Sequence, residues 1–477
     1  MLHGASPNPV SRITAVAAFL CVASCSSTPA GVATNPPDAM VVDVLQSRDA
    51  GDPDAHNGGA DAPRDATQPG DAPRDVTLPD VTLPHLDAGH DAESDVSVRD
   101  APSSEAPDPA DAPSETRAPA DAPSEAHAPV DAPYDAGVPE LRYIGRTLTD
   151  GTAAFNGTCS PATPCFEWSG TQVVARFTGA TEIDFLMSDG GNYFDVYVDG
   201  TLTSNPAILG NGGAGQYPAA TGLDSTQTHE VRLYRRTEAL TGGLTLMSGV
   251  TFPFGGTLLA PSPAPPLRIE LIGDSISCAK GILGTDASCV AEPDNEDHDL
   301  SYGAITARAL QADLFTTAAS YYGMYMDYFG TMEDTIPSIY ALTAPFGTTS
   351  TTLWNFSTWV PDIVLLNLGT NDFSGSNGDP GQPFVTAYVA FLQQLRQYYA
   401  EATIVCLNGP MLVGAQATLA QTYIQSAISM TNDPKVLFMA FPTQSQASGD
   451  EGCYAHPNVA THQAMATQLI SFLQPLL

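Results

Sequence analysis

Basic side chains are scarce in this sequence: 17 Lys and Arg stand against 53 Asp and Glu, for a formal net charge of −36. A chain so anionic repels polyphosphate, which excludes nucleic acid as a partner. Long apolar runs are also missing, and the N-terminal run Ile13 to Ala23 is too short to cross a bilayer as a stable helix. No Cys-x-x-Cys pair or His/Cys cluster has zinc-ligand spacing, so no metal site is indicated. Between Ser26 and Val138 aromatic residues are almost absent, and Asp, Ala and Pro dominate. Such a stretch cannot bury enough apolar surface to offset the entropy lost on ordering.

Residues 26–138 are therefore read as a disordered tether. They carry 23 acidic residues and five Arg, a net charge of −18 that is half of the whole chain's and keeps the tether extended. Asp-Ala-Pro recurs at Asp61, Asp71, Asp100, Asp111, Asp121 and Asp131, a repeat too short and too polar for a solenoid. Ahead of it, Arg12, the apolar run and small residues lead to Cys25, the layout of a secretory signal over residues 1–25. The residues Val22-Ala23-Ser24-Cys25 resemble a bacterial lipoprotein signal, which implies lipidation of Cys25 and anchoring to a membrane at the outer membrane or cell surface. An ordinary cleaved signal, and a secreted protein, is the alternative.

Export places the remaining six cysteines where disulfides persist. Cys159 and Cys165 share one short loop, TCSPATPC, and are expected to bridge. Cys278 and Cys289 bracket the segment just after Gly273-Asp274-Ser275 and could form another, which would leave Cys406 and Cys453 to each other or free.

Residues 139–262 carry short alternating segments, VVARF, EIDFL, YFDVYVDG and HEVRLYRR, separated by Gly, Asn and Asp. In the third, Phe194, Val196 and Val198 share one face while Tyr193, Asp195 and Tyr197 share the other. One face is expected to bury and one to meet water, as in a β-sandwich. Ala260 to Pro266 breaks helix and ladder alike and marks a boundary. In residues 267–477 the apolar runs LRIELIG, DIVLLNLG, TIVCLNGP and VLFMAF alternate with helical spacing over 301–312, 384–399, 417–430 and 459–473. That pattern predicts a parallel sheet covered by helices on both faces, with ligands bound beyond the carboxyl ends of the strands.

The candidate residues fall at those ends. Ser275 follows the first run and needs a base to become nucleophilic. His456, after the last run, is best placed to supply it. Asn371, after the second run, can donate its amide to a developing oxyanion. Helix capping for Ser275 and an Asx turn for Asn371 are the bland alternatives.

Longer blocks carry a resemblance: LRYIGR from Leu141, WSGTQVVARF from Trp168, YFDVYVDG, RRTEA from Arg235, IELIGDSISCAKG, SYGAITARAL, NLGTNDF and GCYAHPNVATH. From Leu141 to Leu477 the chain resembles carbohydrate esterase family 2 of the GDSL/SGNH hydrolases. The resemblance implies an all-β, jelly-roll-like sandwich followed by an α/β SGNH hydrolase domain. It also implies a cofactor-free deacetylase of polysaccharides such as xylan and glucomannan, with a preference for 6-O-acetyl groups; separately from the resemblance, a monomer is expected. Carried over by position, Ser275 is the nucleophile and first oxyanion donor, His456 the base, and Asn371 and the Gly323 N–H further donors. The aspartate usual three residues before the histidine is here Cys453. Asp450, Glu451 or a main-chain carbonyl could orient the ring instead. Asp274 and Asp372 read as supports and His462 as structural, while Phe373, Trp354 and Trp359 could stack on sugars or pack internally. An SGNH esterase or lipase with another acyl substrate, and a catalytically weak polysaccharide-binding lipoprotein, remain the rival readings.

Overall fold

A computed structural model describes residues 140–477 except 155, 204–206, 375–376 and 446–448. The signal, Cys25 and the tether lie outside the described residues. The alternating segments form two antiparallel sheets. One runs in the order Arg142–Ile144, Gln172–Thr178, Thr228–Arg235, Tyr193–Val198, Thr201–Leu202, and the other runs Gly213–Thr221, Glu182–Asp189, Thr245–Thr251, Cys165–Phe166. Val173, Phe177 and Val231 from the first meet Phe185, Met187 and Met247 from the second in one core.

The outer face of Tyr193–Val198 departs from expectation. Asp195 is buried, and Tyr193 and Tyr197 are only half-exposed. Instead of meeting water, this face meets the polar edge of the second domain: Tyr197 donates to the Asp299 carboxylate, and Asp195 lies 3.7 Å from the guanidinium of the sandwich's own Arg236, which pairs in turn with Asp297 of the second domain at 3.3 Å.

The second domain has five parallel strands in the order Ala312–Ala318, Leu267–Gly273, Ile363–Asn367, Thr403–Asn408, Val436–Ala440. Alternate residues face opposite ways. Ile269, Leu271, Leu365 and Leu407 pack under helices Tyr302–Ala309 and Val459–Leu473. Ile272, Val364, Leu366 and Ile404 pack under Gly381–Tyr398 and Gly414–Thr431. The Ala312–Ala318 strand was not among the four expected, and Ala312 belongs to it rather than to a helix, which ends at Ala309. The strand order reverses between Ala312–Ala318 and Ile363–Asn367, on either side of Leu267–Gly273, and such a switch point is where open α/β sheets bind ligands.

The two domains are locked along a seam. Arg146 from the sandwich side reaches Glu270, 3.1 Å away within the Leu267–Gly273 strand, and both side chains are buried. Glu270 also accepts from the Tyr340 hydroxyl at 2.8 Å. Trp168 donates its indole N–H to the Thr343 carbonyl at 2.8 Å. Trp359 stacks on Phe315 at 3.8 Å, in a cluster with Ile144 and Val174 that Trp354 joins.

Candidate active site

The Leu267–Gly273 strand runs straight into a short helix, Ser275–Cys278. Asp274 caps that helix, accepting the Ile276 N–H at 3.0 Å, so the Ser275 side chain is held at the strand's carboxyl end. Burial, followed by the nearby Asp372 charge, pushes the Asp274 carboxyl up to about 7. Its geometry is that of a support and not of an acid serving the histidine.

His456 Nε2 lies 2.8 Å from Ser275 Oγ. The Cys453 carbonyl, 3.3 Å from Nδ1, and the Tyr454 carbonyl occupy the far side of the ring. Carbonyls only accept, so Nδ1 carries the proton and Nε2 presents its lone pair to the serine hydroxyl. Burial, followed by the Lys280 ammonium, pushes His456 down to about 4. The imidazole, with one edge partly exposed, is therefore neutral at pH 7 and ready to take a proton. Neither acidic candidate reaches it. Asp450 accepts the Ser445 N–H at 3.2 Å, and Glu451 bridges through its backbone to Pro457.

The histidine loop is held by cross-links. Cys453 is disulfide-bonded to Cys289, and its N–H donates to the Gly281 carbonyl at 3.0 Å. Tyr454 and Ala455 adopt left-handed φ of 52° and 56°, a costly conformation for side-chain-bearing residues that turns the chain tightly into His456. This pairing corrects the expectation of a Cys278–Cys289 bridge with Cys406 and Cys453 left over. Cys278 sits buried on the helix after Ser275, and Cys406 is buried within its strand; both are free thiols. Cys159 and Cys165 are bridged as expected.

On the opposite side, Asn371 donates its amide to the Tyr322 carbonyl at 2.8 Å, which brings it against the turn that carries Gly323. Asp372 pins the next three residues, accepting the N–H groups of Met324, Tyr325 and Met326 at 2.9, 2.7 and 3.0 Å. A Cβ at Gly323 would fall 1.9 Å from the Met326 carbonyl oxygen, so only glycine fits there. His462 is buried and accepts the Tyr302 N–H at 3.1 Å, a structural role. Phe373 is buried against Phe384, and Trp354 and Trp359 belong to the domain seam; none of the three offers a platform at the site.

Sequence reasoning missed two groups here. Tyr321 and Phe329, 40% and 63% exposed, stack 5.6 Å apart beside the Gly323 turn, and Tyr454, 46% exposed, flanks His456. Beneath them, Lys280 lies 2.7 Å from Glu238 and 3.4 Å from Glu296. Glu238 and Lys280 stood in quoted blocks, RRTEA and GDSISCAKG, but nothing in the sequence pairs two residues 42 positions apart.

Two family models match the chain: carbohydrate esterase 2 N-terminal over residues 157–263, and GDSL-like lipase/acylhydrolase over residues 269–469. Among curated proteins, the cellulase/esterase CelE of Acetivibrio thermocellus is 38% identical over 312 residues, 65% of this chain; the chain spans only 37% of that relative. An acetylxylan esterase / glucomannan deacetylase of Cellvibrio japonicus is 26% identical, over 71% of this chain and 89% of its own length. Among solved structures, a family two carbohydrate esterase from Clostridium thermocellum in complex with cellohexaose is 36% identical with a TM-score of 0.64, covering 70% of this chain and 98% of its own.

Proposed function

The chain belongs to carbohydrate esterase family 2, and from that membership we propose that it is a serine esterase that removes O-acetyl groups from polysaccharides. The observation that carries the reading is the 2.8 Å contact between His456 Nε2 and Ser275 Oγ, with Nδ1 turned to main-chain carbonyls. His456 takes the Ser275 proton as Oγ attacks the acetyl carbonyl, and the tetrahedral oxyanion is met by the N–H groups of Ser275 and Gly323 and by Asn371. Collapse expels the sugar hydroxyl, protonated by His456. Water, activated by the same imidazole, then releases acetate from the acetyl-serine. No cofactor enters this cycle.

Xylan and glucomannan are the proposed polymers, with 6-O-acetyl groups preferred. The exposed rings of Tyr321, Phe329 and Tyr454 support a sugar substrate, because pyranose faces pack well on aromatic rings. We further propose a monomer, lipidated at Cys25 and tethered at the cell surface, where such polymers are met; Cys25→Ala should release it from the membrane fraction into the medium.

The deciding experiment is hydrolysis of p-nitrophenyl acetate and butyrate by wild type, Ser275→Ala and His456→Ala, followed by acetate release from acetylated glucomannan and xylan. Turnover of the acetate ester that both substitutions abolish, with acetate released from a polymer, is expected. Equal rates for wild type and Ser275→Ala would sink the esterase reading, and a preference for butyrate would redirect it to another acyl substrate.

A further inference from the structure

The RRTEA block belongs to the sandwich, yet its side chains are built to aim one carboxylate at the catalytic domain. Arg235 is fully buried and spends its guanidinium on the loop itself, donating to the carbonyls of Thr237, Glu238 and Gly243 at 3.1, 3.2 and 2.8 Å. The Glu238 N–H is fixed by Glu296 Oε2 at 3.1 Å. So anchored, the Glu238 carboxylate reaches two places on the other domain. Oε1 accepts from Lys280, two residues past the Ser275–Cys278 helix, at 2.7 Å. Oε2 accepts the backbone N–H of Ser320 at 3.0 Å. Burial would raise this carboxyl, but Lys280 and the Ser320 hydrogen bonds outweigh it and hold Glu238 ionised below the ordinary glutamate value.

Ser320 opens the turn that leads through Tyr321, at a left-handed φ of 70°, to Gly323. Asp372 already grips the far side of that turn at Met324 to Met326. The Gly323 peptide is thus held between two buried carboxylates, one from each domain.

We propose that Glu238 is a positioning residue for acyl transfer: through the Ser320 N–H it fixes the turn that presents the Gly323 N–H to the oxyanion, making the β-sandwich part of the catalytic apparatus. The inference rests on the esterase reading above. For p-nitrophenyl acetate, which carries no sugar to stack on Tyr321, a turn released on one side leaves ground-state binding in place but misplaces a donor needed only in the transition state, and loss of one such donor costs about 10²- to 10³-fold in kcat.

The test compares Glu238→Ala, Glu238→Asp and Glu238→Gln on p-nitrophenyl acetate, with kcat corrected for active sites by titration with a fluorophosphonate. The inhibition constant of methylboronic acid, whose serine adduct mimics the tetrahedral intermediate, is measured alongside. Asp keeps the charge for Lys280, which can follow it, but is one methylene too short for Ser320. Gln keeps the acceptor and loses the charge. The expected result is kcat down about 100-fold for Ala and Asp with KM within threefold, kcat within about fivefold for Gln, and boronate inhibition weakened in proportion to the loss in kcat. If Ala does not fold, the Asp and Gln pair decides alone. Asp at wild-type kcat, Gln as impaired as Asp, or a fall in kcat with unchanged boronate inhibition would each overturn the proposal. Ser275→Ala run in parallel separates the readings: if it retains wild-type activity the esterase reading itself has failed, whereas if only Glu238 is silent this inference alone is lost.

Discussion

The loop that carries Ser275 and the loop that carries His456 reach the same point by different physics. Ser275 is placed by continuous regular structure: a buried strand, a capped turn and a helix, with neighbouring strands paired on both sides. His456 comes 16 residues after the last strand ends at Ala440, and among the described residues between them no regular element is longer than three residues. It is placed by a disulfide, two left-handed residues and single backbone hydrogen bonds to Gly281 and Cys289. The first arrangement inherits the stability of the sheet. The second depends on a few contacts, each of which can be cut individually.

That contrast can be tested in descending order of effect. Ser275→Ala and His456→Ala should each lower kcat by about 10⁴- to 10⁶-fold, and the double variant should lose hardly more, because the two act as a unit. Additive losses in steady-state kinetics would show that the loops work independently. Asn371→Ala should lower kcat by about 10²- to 10³-fold with little change in KM. Cys289→Ser with Cys453→Ser should lower the unfolding free energy by about 2 to 5 kcal/mol in urea titration. It should also cost up to about 10²-fold in kcat, since an ångström of drift in the histidine matters that much. An unchanged kcat would show that the left-handed turn positions His456 unaided.

The smallest effect concerns pH. The base must be neutral, and burial with Lys280 nearby lowers its pKa to about 4, so kcat/KM should hold as pH falls through 6.5 and drop only near pH 4 to 5. An acid limb at 6.5 in the pH–rate profile would mean that water reaches the ring freely, and that Lys280, Glu238 and Glu296 around it leave no net field.

How much of this was legible in the sequence follows from which forces are local. The strand-end positions of Ser275 and Asn371 could be read because Leu267–Gly273 and Ile363–Asn367 are apolar runs largely buried on both faces, and such runs announce themselves, whereas the run before His456, Val436–Ala440, is mostly half-buried and only places the histidine somewhere beyond it. The Ala312–Ala318 strand could not be read, because its run is broken by polar side chains that are buried only through distant partners. Asp313 pairs with Arg142 of the sandwich, Thr316 Oγ1 meets His298 at 3.1 Å, and Thr317 meets Glu270 at 3.3 Å. The polar face of Tyr193–Val198 misled for the same reason, its partners Arg236 and Asp299 being supplied by the fold. The Cys289–Cys453 bridge spans 164 positions, and proximity in sequence favoured the wrong partner. The replacement for the missing aspartate was a main-chain carbonyl, which no side-chain pattern can reveal.

Trp168, Trp354 and Trp359 are the chain's three tryptophans, and all lie on the joint between sandwich and sheet. Intrinsic fluorescence excited at the indole band therefore comes from that joint alone. A shift in its emission on adding sugar or on mild denaturation reads the two halves parting or tightening, and a silent spectrum reads a joint that stays shut while Ser275 works.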